Sequence, residues 1–121
     1  MKDIAVEGMT LDYDGSVTGP TPEPGAPSAV ARVDGNGIYV DGLSITAPTG
    51  VVDGDCTTTS PATESMNATA EENRLEGSPP LREDDTVDFS EVPGVDGSGN
   101  ACTASFTVRI VSAGQNVARA E

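Results

Sequence analysis

The 121-residue chain has no histidine and no tryptophan, and its only lysine is Lys2. Without histidine it lacks the side chain that most often serves as a general base or as a neutral metal ligand. Six Lys and Arg against 20 Asp and Glu give a formal net charge of -14, so there is no basic stripe to neutralise phosphates. We therefore expect a protein that binds no nucleic acid and is not an enzyme.

Long apolar segments are also missing. No run approaches the roughly 18 residues of a membrane span, and residues 1–5 do not begin the apolar stretch of a signal peptide. These features predict a chain made in the cytoplasm without a signal peptide and without stable membrane insertion. The length fits one domain over residues 1–121.

Glycine and proline are abundant, with 14 and 9 residues, and they interrupt every window of helical apolar spacing. The segment Ala62–Leu75 is rich in Thr and Ser and has no apolar stripe, so we predict a loop that leads into a strand, with at most one helical turn. The remaining pattern predicts an all-β fold of short hairpins joined by long Gly- and Pro-rich loops.

Strand and turn signals fill the first half of the chain. Residues 4–11 alternate weakly, and residues 17–28 hold four prolines that predict an extended surface strap. Residues 29–46 read as three strands, 29–33, 38–40 and 43–46. The turns between them carry Asp-Gly and Asn-Gly, which supply positive φ cheaply.

The second half gives three weaker signals and one strong one. Residues 73–83 resemble a further hairpin, 93–100 a Gly-rich loop and 115–120 a last short strand. The strongest strand signal is Ala104–Val111, in which apolar residues occupy one face. That face consists of Phe106, Val108 and Ile110, and the opposite face of Thr107, Arg109 and Val111.

Two cysteines, Cys56 and Cys102, allow two interpretations. A disulfide between them would close a loop of about 47 residues and stabilise the fold by roughly 4 kcal/mol. Alternatively, both are free thiols packed as small apolar groups. The disulfide is the favoured interpretation. A zinc site is not, because neither a histidine nor a CxxC pair completes four soft ligands.

Acidic residues cluster at 12–14, 53–55 and 83–85. The first cluster resembles the start of a calcium loop, but the remaining ligand spacing is missing. A glycosidase carboxylate pair is disfavoured, because only four aromatic residues exist to line a sugar cleft. We interpret these clusters as turns in which Asp precedes Gly. The overall acidity fits a halophilic or marine source, because salt screens carboxylate repulsion, or an ordinary acidic surface selected for solubility.

One resemblance extends beyond these motifs. The segments 56–61, 65–69, 75–85 and 112–121 are similar in type and order to those of PAAR-like proteins, the spike-tip proteins of phage tails and contractile injection systems. The resemblance covers residues 53–85 and 101–121, which lie within a PAAR-like portion, residues 53–121. The motif residues are the turn and acidic positions Gly77, Pro79, Pro80, Asp84 and Asp85.

The resemblance implies a compact, cone-shaped domain that caps a trimeric central tail spike and helps pierce the host envelope. Implied partners are a trimeric spike or tail hub protein, other tail and baseplate proteins and, transiently, the host envelope. The implied location is the tail tip or baseplate of a virion, after synthesis in the host cytoplasm. The family's tip metal, held by three His and one Cys, cannot be carried over to a chain without histidine. We therefore expect no metal or other cofactor and a Cys56–Cys102 disulfide in its place.

A second class of function stays open beside the spike tip. The same composition suits a capsid decoration protein or another small β-structured virion or surface protein. The two roles differ in copy number, since a tip caps one three-fold axis and a decoration protein covers many sites. For the tip we expect an isolated chain that is monomeric and binds a trimeric partner.

Overall fold

The computed structural model describes residues 2–27, 32–33, 35–68, 79–115 and 119–120. These residues form strands and connecting segments without a helix, which confirms the predicted all-β fold. Accordingly, they include no helix long and apolar enough to cross a bilayer. In chain order the strands are β1 (Lys2–Asp3), β2 (Thr10–Tyr13), β3 (Glu23–Pro24), β4 (Arg32–Val33), β5 (Asn36–Gly37), β6 (Leu43–Ala47), β7 (Val52–Asp53), β8 (Cys56–Thr58), β9 (Ala62–Met66), β10 (Thr86–Val95), β11 (Ala101–Ser112) and β12 (Arg119–Ala120).

The larger sheet has five antiparallel strands in the order β2-β11-β10-β8-β7. Its longest element is the β10–β11 hairpin, and β11 contains the whole predicted strand 104–111. Phe106, Val108 and Ile110 are buried on one face, as the alternation predicted. The Phe106 ring stacks on Phe89 at 5.0 Å and meets Tyr13 edge-on at 5.5 Å. Apolar alternation thus places the aromatic residues on the core face.

The smaller sheet has three strands in the order β3-β6-β9. The chain passes from β8 in the larger sheet to β9 in the smaller one within a few residues, so the two sheets share a corner. Both sheets contribute to the main core. Its fully buried side chains include Ile45 and Met66 from the smaller sheet, Phe89 and Val108 from the larger, and Leu81 from the segment before β10.

A second apolar cluster lies where the chain begins and ends. It consists of Ile4, Val6 and Ile38. β1 pairs with β12, and the Gln115 side chain donates a hydrogen bond to the Ile4 carbonyl at 2.7 Å. Both terminal segments are therefore fastened to the same part of the fold.

The Pro-rich segment is an extended strap over its described part, residues 17–27, as predicted. Thr18 exchanges two backbone hydrogen bonds with Val52 of β7, at 3.1 and 2.7 Å. Further along, β3 pairs with β6. The strap therefore connects an edge of the larger sheet to an edge of the smaller one.

Several predicted strands differ in extent. In 4–11 a regular strand begins only at Thr10, because the chain turns at Gly8, whose φ is 100°. Residues 38–40 form isolated bridges, Ile38 with Val6 and Val40 with Pro80, rather than a strand. The predicted turn 34–37 is shorter, since Val33 already pairs with Asn36. Parts of several predictions, residues 28–31, 34, 69–78 and 116–118, lie outside the described residues.

The prediction of a loop over 62–75 is wrong for its first part, which forms β9. This strand pairs with β6 along its full length, from Leu43–Met66 to Ala47–Ala62. Its middle residues Thr63, Glu64 and Ser65 are exposed, so the strand shows no apolar alternation. An edge strand does not need one, because its neighbour supplies most of the apolar face.

The predicted loop 93–100 is also too long, because β10 continues to Val95. Val92 and Gly94 are buried on alternate positions, and only residues 96–100 form the loop. A register shift between Phe89 and Val92 marks a β-bulge, in which Glu91 has φ 54°. No sequence signal considered above identified residues 86–92 as a strand, since Asp, Ser and Glu interrupt their apolar positions.

Candidate functional site

The site that the sequence singled out most clearly is the pair of cysteines. In the structure Cys56 of β8 and Cys102 of β11 form a disulfide bond, with their Cα atoms 6.0 Å apart. β10 lies between these strands in the sheet order. Two strands separated by a third are about 9.6 Å apart in a flat sheet, so the sheet folds sharply over β10 at this point.

Gly94 is the residue of β10 over which the sheet folds. It pairs with Thr58 on one side and with Cys102 on the other. A Cβ atom at this position would stand 3.0 Å from the Cys56 Sγ and closer still to the Thr57 carbonyl oxygen. The bridge therefore requires a residue without a side chain beneath it. In the sequence Gly94 falls within the predicted loop 93–100, and no local signal distinguishes this role.

A hydrogen bond runs across the same fold. The Asp53 carboxylate, at the end of β7, accepts the backbone N–H of Ser105 in β11 at 3.1 Å. Next to it, Asp55 Oδ1 lies 3.2 Å from the place that a Cβ of Gly97 would occupy. The acidic cluster at 53–55 thus serves as a turn that docks on the far strand, in agreement with its interpretation as a turn.

Thr58 fixes β8 from the other side. Its side chain is 2% exposed, and its Oγ1 accepts the backbone N–H groups of Gly50 at 3.0 Å and Val51 at 2.9 Å. Buried backbone donors need such partners, so Thr58 joins the 48–51 turn to the bridged strand. Sequence reasoning missed it because nothing distinguishes the middle residue of a run of three threonines.

The loop between β10 and β11 is ordered by one carboxylate. Asp96 Oδ1 accepts the N–H groups of Ser98 at 2.9 Å and Asn100 at 3.0 Å. The Asp96 N–H in turn donates to the Asn100 carbonyl at 2.9 Å. An aspartate that satisfies the backbone two residues on is a standard turn device. The loop beside the disulfide is therefore held by internal hydrogen bonds.

The first and third acidic clusters meet at Arg109. Its guanidinium contacts Asp14 at 2.9 Å and Asp84 at 3.0 Å. These hydrogen bonds, to Asp14 first and then to Asp84, raise the pKa of Arg109. Asp12 is used differently, since its Oδ1 accepts the Tyr13 N–H at 2.7 Å. The described residues contain no group of three or more His, Cys, Asp or Glu arranged to hold a metal ion.

The described part of the family-like motif, residues 79–85, lies between the terminal segments and β10. Gly77 is outside the described residues, whereas the Pro79 carbonyl accepts the Asp41 N–H at 2.9 Å and Pro80 is buried. Asp84 has φ 73° and faces Arg109. Asp85 is 2% exposed and accepts the Arg82 N–H at 3.0 Å. These motif residues shape the chain path and form no cluster with the cysteines.

Both tyrosines titrate abnormally because they are buried. Burial, reinforced by the Asp12 carboxylate, raises the pKa of Tyr13 to about 12. Its hydroxyl donates to the Pro20 carbonyl at 2.7 Å. Burial and then the charge of Glu7 raise the pKa of Tyr39. Tyr13 thereby joins β2 to the Pro-rich strap.

A shallow pocket of about 260 Å³ lies between the strap and β6, lined by Gly25, Ala26, Val40, Asp41, Gly42, Leu43 and Ser44. Its carboxylate is already engaged, because Asp41 Oδ1 accepts the Ala68 N–H at 2.6 Å. Among the described lining residues, no side chain other than Asp41 could act as a base toward Ser44. The pocket therefore offers no arrangement for nucleophilic or acid–base catalysis.

No protein-family model matches the chain, and comparison with curated proteins and with solved structures likewise finds no significant match.

Proposed function

We propose that this chain is a non-enzymatic structural component of a phage virion or injection machine, which caps the trimeric central tail spike and helps pierce the host envelope. The observation that supports this most is the Cys56–Cys102 bridge over Gly94. A piercing part must keep its shape under load. A covalent link across non-adjacent strands prevents them from separating without breaking a bond.

The position of the bridge supports the proposal further. Cys102 and Ser112 are ten residues apart on β11, which corresponds to about 33 Å along a strand. The bridged end of the hairpin is therefore remote from the β1–β12 pairing of the terminal segments. It also carries the turn at 53–55 and the Asp96 loop, both held by hydrogen bonds. The bridged end of the domain is thus rigid, and the end with the terminal strands is available for attachment to a partner protein.

The sites described above are used structurally, which supports a role without chemistry. Asp41, Asp53, Asp85 and Asp96 each accept backbone N–H groups. A carboxylate that already accepts a backbone hydrogen bond stabilises a turn and is poorly placed to act as a base. Two of these residues, Asp53 and Asp85, belong to the acidic clusters of the sequence, so members of those clusters serve to hold the backbone.

A trimeric spike or tail hub protein is the partner we propose, with other tail and baseplate proteins around it. A flat apolar base is one way to seat such a cap on a trimeric partner. Among the described residues, however, the exposed large apolar side chains are only Val95, 41% exposed, and Val111, 38% exposed. The contact surface within the described part is consequently polar, and specificity would come from hydrogen bonds and charge.

Co-purification tests this assignment. The chain, expressed with candidate spike and hub proteins, should be recovered with a trimer at one copy per trimer, and alone it should sediment as a monomer. A stable homotrimer or homohexamer of the chain alone would contradict the proposed cap. Mass spectrometric copy number on intact particles provides an independent measurement.

A capsid decoration or other surface role is favoured by one observation. The outer face of β11 carries Thr103, Ser105 and Thr107, and this polar face belongs to the largest sheet. Such a face suits a module that covers a particle and faces water. Tens to hundreds of copies per particle would favour decoration, whereas a single copy at one vertex would favour the tip.

A further inference from the structure

The β7–β8 hairpin, residues 52–58, is joined to its neighbour β10 by a short ladder. In the described structure two residue pairs connect β8 with β10, and one further hydrogen bond runs from the Thr59 N–H to the Pro93 carbonyl at 3.1 Å. By contrast, β10 and β11 share eight residue pairs. A segment held by few backbone hydrogen bonds opens more readily than one held by many, so the hairpin is weakly fastened on this side.

The non-covalent contact of the hairpin with β11 is also limited. The Asp53 carboxylate accepts the Ser105 N–H at 3.1 Å, in an exposed position. Among the described residues of the main core, the hairpin supplies only Cys56. The large buried side chains that fill this core, such as Phe89 and Ile45, belong to other segments. The core can therefore persist when the hairpin moves.

The disulfide links the hairpin covalently to β11, from Cys56 to Cys102. The Cys56 Sγ lies close to Gly94, where a Cβ would stand 3.0 Å from it. Two unbonded thiols need more space than a disulfide, because their sulfur atoms approach only to van der Waals contact. The Gly94 backbone blocks one side of Cys56, so cleavage of the bond favours a movement of β8 away from β11.

The bridge is accessible to a thiol reductant. Cys102 is partly exposed, whereas Cys56 is 7% exposed. A thiolate must reach one of the two sulfur atoms to attack a disulfide, so we expect entry from the side of Cys102. Asp53, the cross-strand partner of Cys56, and the nearby Asp55 are both acidic. A neutral dithiol therefore meets less repulsion here than an anionic thiol.

We propose that the Cys56–Cys102 bridge is a redox switch. In its oxidised form it holds the β7–β8 hairpin against β11, and in its reduced form it releases the hairpin while the rest of the fold stays in place. In the reduction a dithiol supplies two electrons and two protons. The S–S bond breaks, both cysteines become thiols, and the dithiol becomes a disulfide.

A low-molecular-weight disulfide reverses this step, because it accepts the two electrons and two protons and is itself reduced to thiols. A reducing cytoplasm therefore favours the released form, and oxidising surroundings favour the closed form. The switch needs no tail or spike in order to operate.

Hydrogen exchange of the full chain, followed amide by amide by NMR, tests the switch. The Ser105 and Thr59 amides report on the hairpin, because both are hydrogen-bonded across its borders. The Leu81 and Ile110 amides are hydrogen-bonded elsewhere in the fold and serve as references. On reduction with dithiothreitol, a neutral dithiol, exchange at Ser105 and Thr59 should rise at least about tenfold, and exchange at the reference amides should stay within about twofold.

Oxidised dithiothreitol at the same concentration is the control for the additive. The double variant Cys56→Ala, Cys102→Ala is the matched variant, because it lacks the bridge in the absence of any reductant and keeps both side chains apolar. It should retain a cooperative thermal transition and exchange like the reduced chain. Oxidised glutathione, added after removal of the dithiol, should restore slow exchange in the unaltered chain and consume both thiols.

Three results would overturn the proposal. The first is unchanged exchange at Ser105 and Thr59 after reduction, which would show that non-covalent contacts alone hold the hairpin. The second is faster exchange at Leu81 and Ile110 as well, or a double variant without a cooperative transition, either of which would assign the bridge to the stability of the whole fold. The third is failure of dithiothreitol to reduce the bridge in the folded chain, or of oxidised glutathione to restore it. None of these results bears on the spike-tip proposal, which co-purification decides.

Discussion

The Asp53 side chain accepts a hydrogen bond from the backbone of Ser105 at 3.1 Å, although β8 and β10 separate their strands in the sheet. The contact is possible only because the sheet folds over Gly94, where the Cys56–Cys102 bridge also crosses. One acidic turn, one glycine and one disulfide therefore depend on the same bend. The first two predictions test the glycine and the disulfide separately.

Gly94→Ala should destabilise the fold by about 2–3 kcal/mol, since the added methyl group has no space beneath the bridge. The position is crowded by the Thr57 carbonyl and by the Cys56 Sγ at 3.0 Å. Urea unfolding measures the change. Gly25→Ala is the matched control, because its Cβ would be 3.4 Å from the Ser44 carbonyl, close to ordinary contact. Equal stability of the two variants would contradict the proposed role of Gly94.

The Cys56→Ser, Cys102→Ser double variant should lose roughly 4 kcal/mol, because the unfolded chain is no longer constrained across 46 residues. Thiol titration of the unreduced, denatured chain should find no free thiol, and reduction should release both. Mild reduction of the unaltered chain should lower its stability by a similar amount. Two free thiols in the unreduced chain would show that the bridge is not formed.

Glu91→Asn should raise stability by about 0.5–1 kcal/mol. Glu91 has φ 54° in the β10 bulge, a region in which Asn is far less strained than Glu. The variant also removes one negative charge, so Glu91→Gln is the control that removes the charge but keeps the strain. If the two variants are equally stable, charge rather than backbone conformation explains the effect.

The stabilisation contributed by Tyr13 should disappear in alkali. Its pKa in the folded chain is about 12, against about 10 in an unfolded chain. Between these values the unfolded state loses its proton first, so the contribution is complete below pH 10 and is lost progressively up to about pH 12. The comparison is with Tyr13→Phe, which lacks the ionisable hydroxyl. The stability difference between the two chains should change over this interval, and a constant difference would contradict the assignment.

Salt should stabilise the chain if its acidity is a halophilic adaptation. The net charge of -14 is repulsive overall, and molar NaCl shortens the screening length to about 3 Å. The melting temperature should therefore rise steeply between low and molar salt. Arg109→Gln, which removes the cation between Asp14 and Asp84, should show a larger rise than the unaltered chain. A flat melting temperature would leave solubility as the explanation for the charge.

The structural features that the sequence predicted well are those that depend on residues close together in the chain. The alternation in β11 and the Asp-Gly turns depend on near neighbours, and the described structure retains them. Glycine, proline and helix-poor spacing were enough for the all-β fold. The positions of β9 and of the start of β10 were not predictable from the sequence. Their exposed positions carry Thr, Glu, Asp and Ser, so no apolar alternation marks them as strands, and their pairing depends on residues distant in the chain.

In the candidate site, too, the sequence indicated some residues and gave no signal for others. The two cysteines are conspicuous in the sequence because there are only two of them. Gly94 is one of 14 glycines, and its importance arises from its closeness to Cys56 and Thr57, far along the chain. Thr58 is the middle residue of a threonine run, and its importance arises from the N–H groups of Gly50 and Val51 in the preceding turn. The clusters at 53–55 and 83–85 include turns, as interpreted, whereas Asp12 of the first cluster lies in β2. The convergence of Asp14 and Asp84 on Arg109 required the register between β2 and β11.

The arrangement of the terminal strands has a mechanical consequence. β1 and β12 are antiparallel neighbours, so a force applied to the two ends of the chain peels their hydrogen bonds apart one after another. Beyond them, the disulfide removes 46 residues from the stretchable length, about 150–165 Å of extended chain. A stretched molecule would therefore first lose the β1–β12 pairing at its termini. Its extension would then end at a shorter length than that of the full chain, because the bridged part of the sheet stays joined by a covalent bond.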